Sequence, residues 1–160
     1  MNLYDIAVKM EMDGEQYYLE LAKNATHPGI KAVFELMAED EHKHYEIVSN
    51  IITGSVKFVE GSSLDMLKSV FAKALESNEE LPMPEYAFEA YLKAADMERK
   101  SVDFYRDAYD RTNSDHEKKL LVELQEEEAR HLMIVENLSE YVRKPREWVE
   151  SAEFNHMMDY

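Results

Sequence analysis

The sequence predicts an all-α protein, a four-helix bundle made of two helical hairpins joined by a long crossover. Four long segments repeat apolar residues at the three-and-four spacing of a helix face, and none alternates with the period of two of a half-buried strand. Only four Gly and four Pro occur in 160 residues, too few for the many turns of a β-sandwich. Apolar residues make up 45% and charged ones 32%, a composition that builds a core rather than a disordered chain. One domain over residues 1–160 is expected.

The first helix is read from about Leu3 to Asn24, stopping at the breaker cluster Thr26-His27-Pro28-Gly29. The second runs from about Ile30 to Ile52 and ends before Gly54, which closes a first hairpin over residues 3–53. Residues 54–83 form the crossover, with a short amphipathic helix expected from Leu64 to Leu75, capped by Ser62 or Ser63. The third helix starts near Pro84, a residue tolerated in a first helical turn, and runs to about Thr112. Asn113-Ser114-Asp115 supplies a turn and an N-cap, and the fourth helix runs to about Arg143, ahead of Pro145. That gives a second hairpin over 84–143. The tail, 144–160, holds Trp148, Phe154, Met157 and Met158 and is read as a short extra C-terminal helix covering one end of the bundle.

Composition also removes functions. Lys and Arg number 18 against 34 Asp and Glu, a net charge of −16 that repels nucleic-acid phosphates and anionic membrane surfaces. With no cysteine, disulfides, thiolate zinc sites and iron–sulfur clusters are excluded. No basic region followed by an apolar run opens the chain, and no apolar run of ~18 residues occurs, so neither a signal peptide nor a membrane span is expected. The expected setting is the cytoplasm.

A Glu-x-x-His on a helix places a carboxylate and an imidazole one turn apart, able to grip one metal. With 24 Glu and six His, about one such pair is expected by accident, and four occur: Glu39/His42, Glu41/His44, Glu128/His131 and Glu153/His156. An internal duplication selects among them. Shifted by 87 residues, Phe34–Ile51 lies on Leu121–Leu138 with six of eighteen positions identical, among them Glu41 with Glu128 and His44 with His131. The same shift lays Ala7, Met10, Glu11 and Tyr18 on Ala94, Met97, Glu98 and Tyr105. His42 falls on Ala129, and Glu153/His156 has no mate. Each half is thus a hairpin with one Glu on its first helix and Glu-x-x-His on its second.

Helix periodicity gives an independent check. The seam of helix one reads Ala7, Glu11, Gly14, Tyr18, Leu21, and that of helix three Ala94, Glu98, Ser101, Tyr105, Ala108. Helix two reads Ile30, Phe34, Met37, Glu41, His44, Val48, Ile51, and helix four Leu121, Leu124, Glu128, His131, Val135, Leu138. Four carboxylates at core positions would cost several kcal/mol each if left without partners. Two divalent cations neutralise four Glu, and two neutral His complete their coordination.

On these six residues the chain resembles the ferritin-like di-iron carboxylate superfamily, and its hairpins are most similar to the rubrerythrin-type branch. The resemblance covers helices one to four. It implies Glu11 and Glu98 as terminal ligands, Glu41 and Glu128 as bridges, and His44 and His131 as one ligand to each metal. It also implies two iron ions per chain, with manganese as the alternative, and an oxidoreductase that reacts with peroxide or O2. Two departures qualify that picture. Full rubrerythrins carry a four-cysteine, rubredoxin-like iron site, which a chain without Cys cannot build, so electrons must come from an external donor protein. They also typically carry an extra Glu one turn beyond the helix-three ligand, where this sequence has Ser101.

Several neighbours have two readings. Tyr18 and Tyr105, two turns beyond Glu11 and Glu98, either fill the core or donate hydrogen bonds to carboxylates of the opposite half. Gly14 is unusual in mid-helix, where it costs ~1 kcal/mol relative to Ala, and it leaves room above the metals or marks a tight helix crossing. Asp40 and Glu127 each sit four residues before their own His; a solvated face is the reading adopted, bracing of the imidazole the alternative. His42 is assigned to the exposed side of helix two, and His27, His116 and His156 receive no role. A homo-oligomer, dimer or larger, is expected. Iron oxidation and storage, a dimanganese catalase-like enzyme and a metal-free scaffold are the rival functions.

Overall fold

The computed structural model describes residues 2–54 and 87–150. Four helices make up nearly all of this: α1 (Leu3–Asn24), α2 (Pro28–Thr53), α3 (Ala87–Arg111) and α4 (Asp115–Glu150). There is no strand among the described residues. The expected crossover helix at Leu64–Leu75, the expected start of the third helix at Pro84 and the end of the tail lie outside the described residues.

Local chemistry sets the helix ends. Asn2 caps α1, accepting from the Tyr4 N–H at 3.4 Å, while Asp5 accepts from the Asn2 N–H at 3.0 Å, a reciprocal capping box. The breaker cluster after α1 contains the start of α2: His27 Nδ1 accepts from the Gly29 N–H at 3.1 Å, and Pro28 occupies a first-turn position where a missing N–H costs nothing. α2 ends at Gly54 with φ +68°, a left-handed conformation that glycine adopts without Cβ strain. Before α4, Ser114 Oγ accepts from the Glu117 N–H at 3.3 Å. Thr112 and Tyr4 donate to Glu117 Oε2 at 2.6 and 2.8 Å, which ties the start of α1 to the α3–α4 turn.

One boundary differs from the sequence reading. α4 does not stop near Arg143 but continues through Pro145 to Glu150, so the first residues of the expected tail belong to it. An interior proline forfeits one ladder bond, here to the Tyr141 carbonyl, and in general crowds the carbonyl four residues back, so the helix continues past it at a cost of about 3 kcal/mol.

Hydrogen bonds across the bundle fix the helix directions. Tyr18 on α1 reaches Glu98 on α3, while Tyr105 reaches back to Glu11, so these helices are antiparallel. His44 on α2 meets Glu127 on α4, and His131 meets Asp40, so these two are antiparallel as well. Each hairpin is antiparallel internally, hence α2 and α3 run in the same direction. The end of α2 and the start of α3 therefore lie at opposite ends of the bundle, as a long crossover requires.

The core has two apolar layers. One gathers Tyr18, Ile30, Phe34, Met37, Tyr91, Val135 and Leu138, with Phe34 stacked on Tyr18 at 6.0 Å and tilted by 52° against Tyr91 at 5.3 Å. The other gathers Ala7, Val48, Tyr105, Ala108, Leu121 and Leu124. Between them lies a polar layer of buried carboxylates and imidazoles.

Candidate metal centre

Four helices each contribute to the polar layer because the seam register carries charged residues at positions that otherwise hold Leu, Val or Ala. α1 supplies Glu11, α2 Glu41 and His44, α3 Glu98, and α4 Glu128 and His131. All six are buried, Glu128 and both His completely. The imidazole rings lie 5.7 Å apart.

These side chains form two overlapping candidate ligand sets whose potential donor atoms lie within 4.8 Å of one another: Glu11, Glu41, His44 and Glu128, and Glu41, Glu98, Glu128 and His131. Glu41 and Glu128 belong to both. In the first set, His44 Nδ1 lies 3.4 Å from Glu11 Oε2 and 3.3 Å from Glu128 Oε1. In the second, His131 Nδ1 lies 3.0 Å from Glu41 Oε1 and 3.4 Å from both Glu98 Oε1 and Glu128 Oε2.

Whether this set fits a metal is tested by what its atoms leave undone. Glu11 Oε2, His44 Nδ1 and both carboxylate oxygens of Glu128 are buried and make no hydrogen bond. Buried polar atoms are nearly always partnered, and these four converge on one place. Carboxylate oxygens and imidazole nitrogens in this number suit iron, manganese or zinc. The residues fit two divalent cations.

Supporting contacts cross between the halves of the duplication. The Tyr18 hydroxyl donates to Glu98 Oε1, and the Tyr105 hydroxyl to Glu11 Oε1. His131 Nε2 lies 3.1 Å from Asp40 Oδ2, and His44 Nε2 is hydrogen-bonded to Glu127 Oε2. The solvated-face reading of Asp40 and Glu127 is thus corrected. Asp40 is only 2% exposed and Glu127's side chain 22%, and each braces the imidazole of the opposite half rather than the one on its own helix. The signal was present in the duplication, since residues 40 and 127 occupy the same repeat position and both are acidic. A residue adjacent to a seam ligand points at the neighbouring helix, which sequence spacing within one helix does not show.

Gly14 has a definite reason. A Cβ there would meet Glu41 Oε2 at 3.0 Å and Glu41 Cδ at 3.3 Å, so glycine makes room for that carboxylate. Its repeat mate Ser101 turns its hydroxyl to the Met97 carbonyl at 3.1 Å. His42 is on the exposed side, as its repeat mismatch suggested, 3.1 Å from Glu15 and 3.6 Å from Glu46.

Without metal the charges sort themselves. Burial, then repulsion from Glu128, Glu11 and Glu98, pushes the Glu41 carboxyl well above its ordinary value. Burial, with Glu11 and Glu98 adding to it, pushes Glu128 up to about 8. For Glu11, burial acts upward, but the charge of His44 and the hydrogen bonds it receives outweigh burial and bring it down to about 2. Glu98 is lowered in the same manner, its burial outweighed by His131 and the Tyr18 hydroxyl. Burial works against both imidazolium ions, yet the facing carboxylates hold them well above 6.5. Both imidazoles and the shared carboxyls of Glu41 and Glu128 are thus shifted toward their protonated forms, Glu11 and Glu98 toward their ionised forms.

Residues 2–139 match the family model for rubrerythrin. No curated protein and no solved structure matches the chain at a significant level.

Proposed function

The chain belongs to the rubrerythrin family, and from that premise we propose that it is a non-haem di-iron oxidoreductase that reacts with peroxide or O2 using electrons from an external donor protein. One observation carries this reading: two ligand sets share Glu41 and Glu128 and leave buried donor atoms without hydrogen bonds. Glu11 and His44 would hold one ion, Glu98 and His131 the other, and the shared carboxylates both. A bound metal pair supplies the change of oxidation state that peroxide or O2 reduction needs.

The chain's own residues prepare the place. The two apolar layers keep bulk water from the polar layer, which strengthens every electrostatic interaction inside it. Tyr18 and Tyr105 fix the carboxylates of Glu98 and Glu11 from the opposite half. Burial first, then the surrounding carboxylates, holds both phenol protons far above their ordinary value, so these hydroxyls remain donors at any physiological pH. With Ser101 at the position of the family's extra Glu, the helix-three side offers Glu98 as its one carboxylate to the centre.

A homo-oligomer in the cytoplasm completes the reading, and among the described residues no helix is long and apolar enough to cross a membrane. The test is metal content measured together with turnover of hydrogen peroxide and O2 by the reduced protein. Iron at two per chain with peroxide turnover supports it. Bound iron that is oxidised without turnover, in a very large assembly, points to storage, and a manganese pair that disproportionates peroxide points to a catalase-like enzyme. A protein that takes up no transition metal under reducing conditions overturns it.

A further inference from the structure

The repeat relates the two halves of the centre, but it does not finish them alike. Around His44 the donor atoms stand free: Nδ1 of His44, Oε2 of Glu11 and Oε1 of Glu128 are buried, within 3.3–3.4 Å of the nitrogen, and make no hydrogen bond. A cation entering there satisfies all three and displaces no hydrogen bond at those atoms. Around His131 the equivalent nitrogen is already engaged, with Nδ1 hydrogen-bonded to Glu41 Oε1 at 3.0 Å and Nε2 held by Asp40 at 3.1 Å. A cation there must first break the bond between His131 and Glu41.

The outer contacts differ in the same sense. Asp40, which braces His131, is 2% exposed, whereas the Glu127 side chain that braces His44 is 22% exposed. The His44 side therefore presents a carboxylate to water one contact away from a ligand, and the His131 side does not.

Resting on the reading of this layer as a di-metal centre, we propose that the centre fills in a fixed order. The first divalent cation binds at Glu11, His44 and the shared pair Glu41 and Glu128; the second follows at Glu98 and His131. Order arises because Glu41 can give its Oε2 to the first ion while its Oε1 keeps the hydrogen bond to His131, so only the second ion has to break that bond to reach Nδ1 of His131. The strong first step comes from free donors, the weaker second step from a bond that must be given up.

The experiment uses the wild-type chain freed of metal and loaded anaerobically with Zn2+. With one equivalent per chain, 15N NMR of the imidazoles should show a coordination shift at His44 Nδ1 while the His131 ring keeps its metal-free shift. A calorimetric titration with the same ion should resolve two steps, the second weaker by roughly tenfold or more. Variants add a second line. His131→Ala should keep the first step and lose the second, whereas His44→Ala should weaken the first by roughly tenfold or more. A coordination shift at His131 before His44, or equal shifts at both rings at one equivalent, overturns the order even if the variants fail to fold. Wild-type protein that binds no Zn2+ sinks the di-metal reading itself, a different failure from two ions bound in the wrong order.

Discussion

Nε2 of His131 lies 3.1 Å from the carboxylate of Asp40, on the other half of the duplicated chain. Its counterpart pairs His44 with Glu127, so each imidazole is oriented by the hairpin that does not carry it. The arrangement points Nδ1 of both rings at the carboxylate of Glu128 and joins the two hairpins through the polar layer they share.

The first prediction follows from that brace. Asp40→Asn keeps the size but exchanges a charged acceptor for an amide, and it should weaken metal binding by roughly 10–100-fold. Glu127→Gln should act in the same direction and less strongly, because part of that side chain already meets water. Competition with a chelator measures both, with circular dichroism as the check on folding. Affinities equal to wild type in both variants would mean that the rings are held by packing alone.

The fold was largely legible in the sequence, and so was the placing of the six buried residues, because both rest on periodicity. A charge on an apolar seam has nowhere to go but the core, and the 87-residue repeat named the same positions twice. What sequence left open were contacts between helices. The partner of His131 is Asp40, 91 residues away, and no spacing within α4 indicates it. Nor did periodicity show what Gly14 faces, or carry α4 past Pro145, where local propensity argued for an end.

Gly14 supplies the second prediction. Alanine is the better helix former by ~1 kcal/mol, so Gly14→Ala should raise the melting temperature of the metal-free protein or leave it unchanged. The new Cβ would stand 3.0 Å from Glu41 Oε2, however, and push the shared carboxylate away by a few tenths of an ångström. Metal affinity should fall while apo stability does not. A variant that binds metal as wild type does would show that Glu41 has room to spare.

Proton release supplies the third. In the metal-free centre Glu128, raised to about 8, keeps its proton at pH 7, and Glu41, His44 and His131 are all shifted toward their protonated forms. Coordination needs four carboxylates and two neutral imidazoles, so loading two divalent ions at pH 7 should expel protons, the one on Glu128 among them. Calorimetry in buffers of different ionisation enthalpy counts them. Above pH 8 the number should fall, since Glu128, raised to about 8, has by then lost its own proton. Release near zero at pH 7 would contradict the charge arrangement described here.

The last prediction concerns stability against pH, where the four carboxylates act in opposite senses. Glu128 has its folded value raised to about 8 from 4.5, so its contribution is fully present below 4.5 and is lost as pH rises toward 8. Glu41 behaves alike, and the two imidazoles contribute fully below 6.5 and lose that contribution as pH climbs through their raised values. Glu11, lowered to about 2, contributes above 4.5 and fails only as pH falls from there toward 2, with Glu98 in the same direction. The metal-free protein should therefore be more stable at pH 5 than at pH 7.5. Metal acts the other way: it binds the native state, adding ~4 kcal/mol at a free concentration a thousandfold above its dissociation constant, and protons compete with it as pH falls. For a chain of this size that corresponds to a gap of roughly 8–16 °C between holo and chelated melts at pH 7.5. At pH 5 the gap should shrink from both sides, because the apo curve rises and the metal is held less tightly. Equal melting temperatures at pH 7.5, with metal shown to be bound in one sample only, would mean that Glu11, Glu41, Glu98 and Glu128 meet water and do not form a buried site.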